Sequence, residues 1–202
     1  KITAKLTRRT KAIMPVQLNG RASDMATIRS IAAEHGLKII EDAAQALFSK
    51  HPLGYLGTLG DAGGYSLGMT KLLQTGQGGA VATRSPEIYE RLQLLRNHGV
   101  GGDSFSVSYQ QLGCNFKFTD VQAAIGVVQL TRMPARIERL NEIYRQYEQG
   151  LADLPFIRIL PVDLDKGEVP LYVEALSPVR EDLMVFLEAK GCETRRSLPS
   201  LH

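Results

Sequence analysis

Apolar residues along the chain alternate between short unbroken runs and runs spaced three and four apart, the pattern of strands interleaved with helices. Residues 12–18 read as a buried strand. Asp24 follows as a helix cap, and Met25, Ile28, Ile31 and Ala32 fall on one face before Gly36 ends the helix. Residues 37–42 form the next strand. Strand, helix and strand within about 30 residues predict a parallel crossover. Two further strands are predicted at 63–67 and 80–83. Ser85-Pro86-Glu87 then opens a helix to about Asn97, with proline at the first helical position and Gly99 beyond its end.

After a glycine loop at 99–103 and a turn-like stretch at 112–118, Thr119-Asp120 opens a helical segment to about Gly150. Pro134 should kink or restart it, because proline removes a backbone donor. Beyond Leu154-Pro155 the pattern changes. Strands are predicted at 156–160 and 171–176, then a helix capped by Ser177-Pro178 with Leu183, Phe186 and Leu187 inward, then a strand at 192–195. The expected organisation is a large α/β domain over 1–150 that ends in a long connecting helix. Residues 151–202 would begin a smaller α+β domain.

Composition narrows the class without naming it. With 202 residues, 44% apolar and 22% charged, the chain has the make-up of an ordinary globular protein. The net charge of +3 is small and its basic residues are dispersed, which gives no footprint for nucleic acid. Cys114 and Cys192 lie far apart with no Cys/His cluster, so neither a disulfide framework nor a metal site is expected, and both are read as reduced thiols of a cytoplasmic protein. No apolar run approaches the roughly 18 residues of a membrane span.

Candidate chemistry enters at Asp42 and Lys71. In sheets built from parallel crossovers, ligands bind beyond the carboxyl ends of the strands, and Asp42 closes such a strand. Lys71 lies on a later loop between two strands, in Ser66-Leu67-Gly68-Met69-Thr70-Lys71, ahead of Gly76-Gln77-Gly78-Gly79. A carboxylate for a pyridinium nitrogen and an amine for covalent attachment are the two groups a pyridoxal 5'-phosphate enzyme requires. Each has a plainer reading. Asp42 can cap a turn, Lys71 can be a surface residue, and the hydroxyl of Ser66 can be satisfied within the sheet. The arginines at 91, 96, 132, 136 and 139 read as a solvated helix face, and Met14, Met69 and Phe118 as core.

Five ordered motifs go further. They are Glu41-Asp42-Ala43-Ala44-Gln45-Ala46; Gly57-Thr58-Leu59-Gly60-Asp61-Ala62-Gly63-Gly64-Tyr65-Ser66; Thr70-Lys71-Leu72 with the glycine turn; Arg96-Asn97-His98-Gly99; and Leu112-Gly113-Cys114-Asn115-Phe116-Lys117-Phe118-Thr119-Asp120. Together they resemble the signature of the DegT/StrS-type nucleotide-sugar aminotransferases. The resemblance spans nearly the whole chain. It implies the aspartate aminotransferase-like fold, with a mostly parallel sheet, and transfer of an amino group from an amino acid, commonly glutamate, to a keto group of a nucleotide-linked deoxysugar. It implies that Lys71 bonds to pyridoxal phosphate, that Asp42 partners the ring nitrogen and that Gln45 lies beside the ring oxygen. Ser66 would hold the phosphate, and Asn115 would reach the phosphate of the other subunit in a homodimer with shared active sites.

Two departures qualify the resemblance. Where the family carries a histidine and tyrosine near the end, this chain reads Thr194-Arg195-Arg196-Ser197-Leu198-Pro199, which bears on the sugar site. Family members also carry roughly a hundred residues before the first strand seen here, so the chain is expected to be the central portion of the enzyme and inactive alone. A sugar dehydratase of the same fold and a non-catalytic paralogue are the alternatives. Lys71 argues against the dehydratase, which carries histidine there.

Overall fold

The computed structural model describes residues 1–101 and 106–197. Its contacts divide the chain into two units: Lys1–Asn141 with Val162–Leu171, and Glu142–Pro161 with the described residues from Tyr172 onward.

The first unit is built on a four-stranded sheet. β1 (Ala12–Ile13) pairs in parallel with β2 (Lys38–Asp42), and the helix between them, α1 (Met25–His35), is the expected crossover. The Asp24 carboxylate accepts the Thr27 N–H at 3.1 Å, and Gly36 ends the helix in the left-handed region at φ 61°. β1 is shorter than the predicted strand. Beyond Ile13 only an isolated bridge from Val16 to Asp42 continues the ladder, and 18–20 turn into a 3-10 helix.

A short hairpin, β3 (Lys50–His51) with β4 (Gly54–Tyr55), follows. The sequence reading passed over it, although His51-Pro52-Leu53-Gly54 carries both turn residues. β5 (Ala62–Ser66) then pairs in parallel with β2, and β6 (Gly79–Thr83) pairs antiparallel with β5, giving the order β1-β2-β5-β6. The sheet is therefore mixed. The connection 67–78 contains no helix, and a parallel return would need one or a comparably long crossover.

α2 (Pro86–Arg96) starts on the Ser85 side chain as expected. β7 (Val100–Gly101) and β8 (Ser108–Tyr109) form a small antiparallel pair; the predicted glycine loop at 99–103 lies partly outside the described residues. α3 (Asp120–Thr131) opens with a reciprocal cap between Thr119 and Gln122. The helical path breaks at Arg132, and α4 (Met133–Gly150) restarts with Pro134 in its first turn, where no backbone donor is missed.

Two apolar clusters form the core of this unit. One packs Met25, Ile28 and Ala32 of α1 against Ile39, Ala43, Ala46, Leu56 and Leu59. The other joins Leu72 and Leu73 to Met133 and Val169, flanked by Ile137 and Leu140. Met14, Met69 and Phe118, read from sequence as core, are exposed instead. Met14 lies on the uncovered side of the sheet, and Met69 sits at the tip of a turn.

In the second unit β9 (Arg158–Ile159) pairs antiparallel with β10 (Ala175–Leu176), and α5 (Arg180–Ala189) follows. The Tyr144 hydroxyl, on the later half of α4, donates to the Leu160 carbonyl at 3.2 Å. Three details differ from the sequence expectation. Val179 occupies the cap of α5 and makes no side-chain bond, Phe186 is exposed, and 192–195 form no strand.

Candidate active site

The alternation of side chains along a strand assigns the two faces of the sheet. Ile39 and Glu41 of β2 point to the buried side, so Ile40 and Asp42 point to the other. The register pairs Glu41 with Gly63 and Asp42 with Gly64, and paired residues share a face. A Cβ at Gly63 would run into the carbonyl of Gly57, so that position is closed by backbone. At Gly64 a Cβ would meet nothing within 4 Å. Glycine inside a strand marks a close approach of backbone or of a ligand. The pair Gly63-Gly64 shows the first on the packed face and leaves room for the second beside Asp42.

Asp42 sits at the carboxyl end of β2. Its backbone is fixed: the N–H donates to the Pro15 carbonyl and its carbonyl accepts the Gln17 N–H, both at 2.9 Å. One carboxylate oxygen accepts the Ala44 N–H at 3.0 Å, the turn-capping bond expected of an aspartate. The other has no partner among the described residues. Gln45 follows one turn later, its side-chain oxygen accepting the Asn19 N–H at 2.8 Å, which leaves its NH2 group as a donor. Ser66 ends β5, two residues beyond Gly64 and on the same face. Its oxygen accepts the Gly68 N–H at 3.3 Å, so the hydroxyl proton is available to another acceptor.

Lys71 lies on the loop leaving β5. The loop folds back on itself: Lys71 N–H donates to Gly68 at 3.0 Å, Thr75 N–H to Leu67 at 2.9 Å and Leu67 N–H to Gly78 at 2.9 Å. Leu72 and Leu73, both buried, anchor it to the second cluster. Arg136 of α4 donates to the Leu72 carbonyl at 2.7 Å and to Gln129 at 2.9 Å. Its expected place on a solvated face is therefore corrected: Arg136 is half-buried and staples the lysine loop. Lys71 as a residue is half-buried, and its amine makes no hydrogen bond or ion pair among the described residues.

Asp42, Gln45, Ser66 and Lys71 thus all follow the carboxyl ends of two adjacent parallel strands. Asn115 does not join them within this chain. It is exposed, its backbone bridges to Asn97, and its side-chain oxygen accepts the Lys117 N–H at 3.3 Å.

Glu41 is the residue that sequence reasoning passed over. Only 1% exposed, its carboxylate accepts Gln17 Nε2 at 2.8 Å and the backbone N–H groups of Gly57, Leu59 and Gly60 at 2.9, 2.6 and 2.9 Å. A glutamate inside a buried strand is the one available signal, since a charge survives there only with partners. Tyr65, on the same face, donates to the Leu56 carbonyl at 2.7 Å; burial, and then the nearby Glu41 charge, push its phenol above the ordinary range.

The residues fit a flat, phosphorylated cofactor. Gly64 leaves an open position inside β5, and a free carboxylate oxygen, an amide donor, a hydroxyl and an uncommitted amine lie at or after the ends of β2 and β5.

The family model for DegT/DnrJ/EryC1/StrS aminotransferases matches residues 1–202, and the chain belongs to that family. It is 33% identical, over its whole length and 56% of the relative, to the GDP-perosamine synthase of Caulobacter vibrioides. It is 37% identical to a dTDP-3-amino-3,6-dideoxy-alpha-D-galactopyranose transaminase of Aneurinibacillus thermoaerophilus, covering 96% of this chain and 53% of that one. The crystal structure of S. venezuelae DesV, in complex with a ketimine intermediate, superposes with a TM-score of 0.87 at 33% identity, over 95% of this chain and 51% of that one. The chain spans about half the length of the curated relatives it matches. Among the described residues no helix is long and apolar enough to cross a membrane.

Proposed function

We infer that this chain carries the cofactor-binding half of a pyridoxal phosphate-dependent aminotransferase acting on a keto group of a nucleotide-linked deoxysugar, with glutamate as the expected amino donor. The observation that carries the reading is the open position at Gly64 in the strand pair, flanked by Asp42 and Ser66 and followed by Lys71, whose amine has no partner among the described residues. The nucleotide-sugar substrate is supported by the relatives, a GDP-perosamine synthase and a dTDP-3-amino-3,6-dideoxy-alpha-D-galactopyranose transaminase.

When bound, the cofactor supplies an electron-withdrawing ring that lowers the energy of negative charge at the carbon bearing the transferred nitrogen. Asp42 would hold the group through its free oxygen at the ring nitrogen, Gln45 would offer its NH2 group to the ring oxygen, and the Ser66 hydroxyl would donate to the phosphate. Lys71 would be the point of attachment and the amine that carries a proton to and from the reacting carbon.

Asn115 is assigned to the neighbouring subunit's phosphate in a homodimer. Its exposure and its separate location agree with that role, and so do the exposed apolar residues Phe116, Val121 and Ile125 near it. Residues 151–202 are read as belonging to a small α+β domain, and the enzyme as a cytoplasmic one of sugar biosynthesis.

Borohydride reduction of the holoenzyme followed by peptide mapping tests the reading. The cofactor should be found on Lys71 and Lys71→Ala should abolish the adduct; trapping on another lysine would overturn it.

A further inference from the structure

We propose that Glu41 and Gln17 are positioning residues for Asp42, gripping the end of β2 from its packed face so that the aspartate meets the ring nitrogen on the other; this rests on the reading of Asp42 given above. Glu41 and Asp42 are consecutive, so their side chains leave the strand on opposite faces. Gln17 joins them. Its backbone N–H donates to the Asp42 carbonyl at 2.9 Å, while its side chain, fully buried, donates to Glu41 Oε2 at 2.8 Å and accepts the Ser23 N–H at 2.7 Å. Moving Asp42 along or across the strand therefore moves Gln17 and breaks its bond to Glu41.

Glu41 is itself immobile. Each of its oxygens accepts two bonds, and three of the four donors are backbone amides of 57–60, which cannot rotate away. No cation pairs with it among the described residues. Burying a carboxylate is costly, and an apolar side chain would fill the same face without that cost. The expense is intelligible if the group must hold an adjacent charged residue to a fraction of an ångström, as a supporting shell does for a site built on rigid strands.

A merely structural staple and a positioning device differ in which part of the cofactor they affect. The discriminating probe is the analogue of pyridoxal phosphate whose ring nitrogen is replaced by CH. It keeps the phosphate, the ring oxygen and the aldehyde that Lys71 attacks, but offers Asp42 nothing. Affinity for both molecules is measured by titrating the apoenzyme of the wild type and of the Glu41→Gln, Gln17→Met and Asp42→Asn variants. Gln17→Met keeps the volume and removes only side-chain bonds, so it carries the test if Glu41→Gln does not fold.

The expected result is a loss of about tenfold or more for pyridoxal phosphate in both positioning variants, the lower end of what metal sites lose when a residue supporting a ligand is removed, with the analogue's affinity within about twofold of wild type. Equal losses for the two molecules, or no loss for either, would overturn the inference. If Asp42→Asn weakens both molecules equally, the reading of Asp42 fails and the inference falls with it.

Discussion

Lys71 is held in place by residues that do no chemistry, and Leu73→Ala exposes that dependence. Leu73 is 4% exposed and packs with Leu72, Met133 and Val169, so truncation removes three buried carbons from a cluster that cannot collapse freely. Leu→Ala changes at such sites cost about 2.7–5.0 kcal/mol. The loop's path back to α4 also runs through the Leu72 carbonyl, which keeps its Arg136 bond at 2.7 Å and limits the relaxation. A loss of about 3 kcal/mol corresponds to roughly a hundredfold change in the population of the opened loop. Native-state hydrogen exchange reads it at the amides of Leu67, Lys71 and Thr75, each of which is bonded only within the loop region. Exchange there should accelerate by about that factor. The control Met69→Ala, at an exposed turn tip, should change it by less than about threefold, in line with the roughly 0.5 kcal/mol of surface substitutions. Acceleration of less than about fivefold in Leu73→Ala would refute the claim that the second cluster seats the lysine loop.

Gly64→Leu places a side chain in open space, so thermal stability should stay within about 1 kcal/mol of wild type, while cofactor affinity measured by titration should fall steeply; unchanged affinity would mean that the cofactor does not use this space. Asp61 is pushed up by burial but pulled further down by Lys38 Nζ at 2.8 Å and the Ile39 N–H, so its carboxyl ends below the usual range. A depressed native value means stability that is present above the unfolded pKa near 3.9 and lost as pH falls through the native one. Asp61→Asn should therefore lower stability at pH 7, by about 1 kcal/mol, with the gap to wild type closing in acid; a pH-independent gap in urea unfolding would contradict the assignment. Mixing inactive Lys71→Ala and Asn115→Asp enzymes under demonstrated subunit exchange should restore part of the activity through one repaired site per heterodimer, and no recovery would count against the shared site.

The chain's own pattern was sufficient for α1, β2, α2 and the break before α4, because each is set by neighbours in sequence: an Asp24 or Ser85 cap, Gly36 in the left-handed region, a proline that fits only the first turn. The positions of Asp42 at a strand end and of Lys71 before a glycine turn were legible too, since both are set by residues close in sequence. The direction of β6, the burial of Glu41 and the half-buried bond of Arg136 were decided only by tertiary structure. An amphipathic residue shows the same letter whether its head meets water or a carbonyl 64 positions away, and Arg136 meets Leu72. Glu41 is legible as a buried acceptor only once Gln17 and the amides of 57–60 are folded around it, because those donors lie on segments that local periodicity cannot bring together. Open space beside Gly64 and closed backbone beside Gly63 come from a register that pairs residues 22 positions apart, such as Asp42 with Gly64, which no property of either glycine encodes.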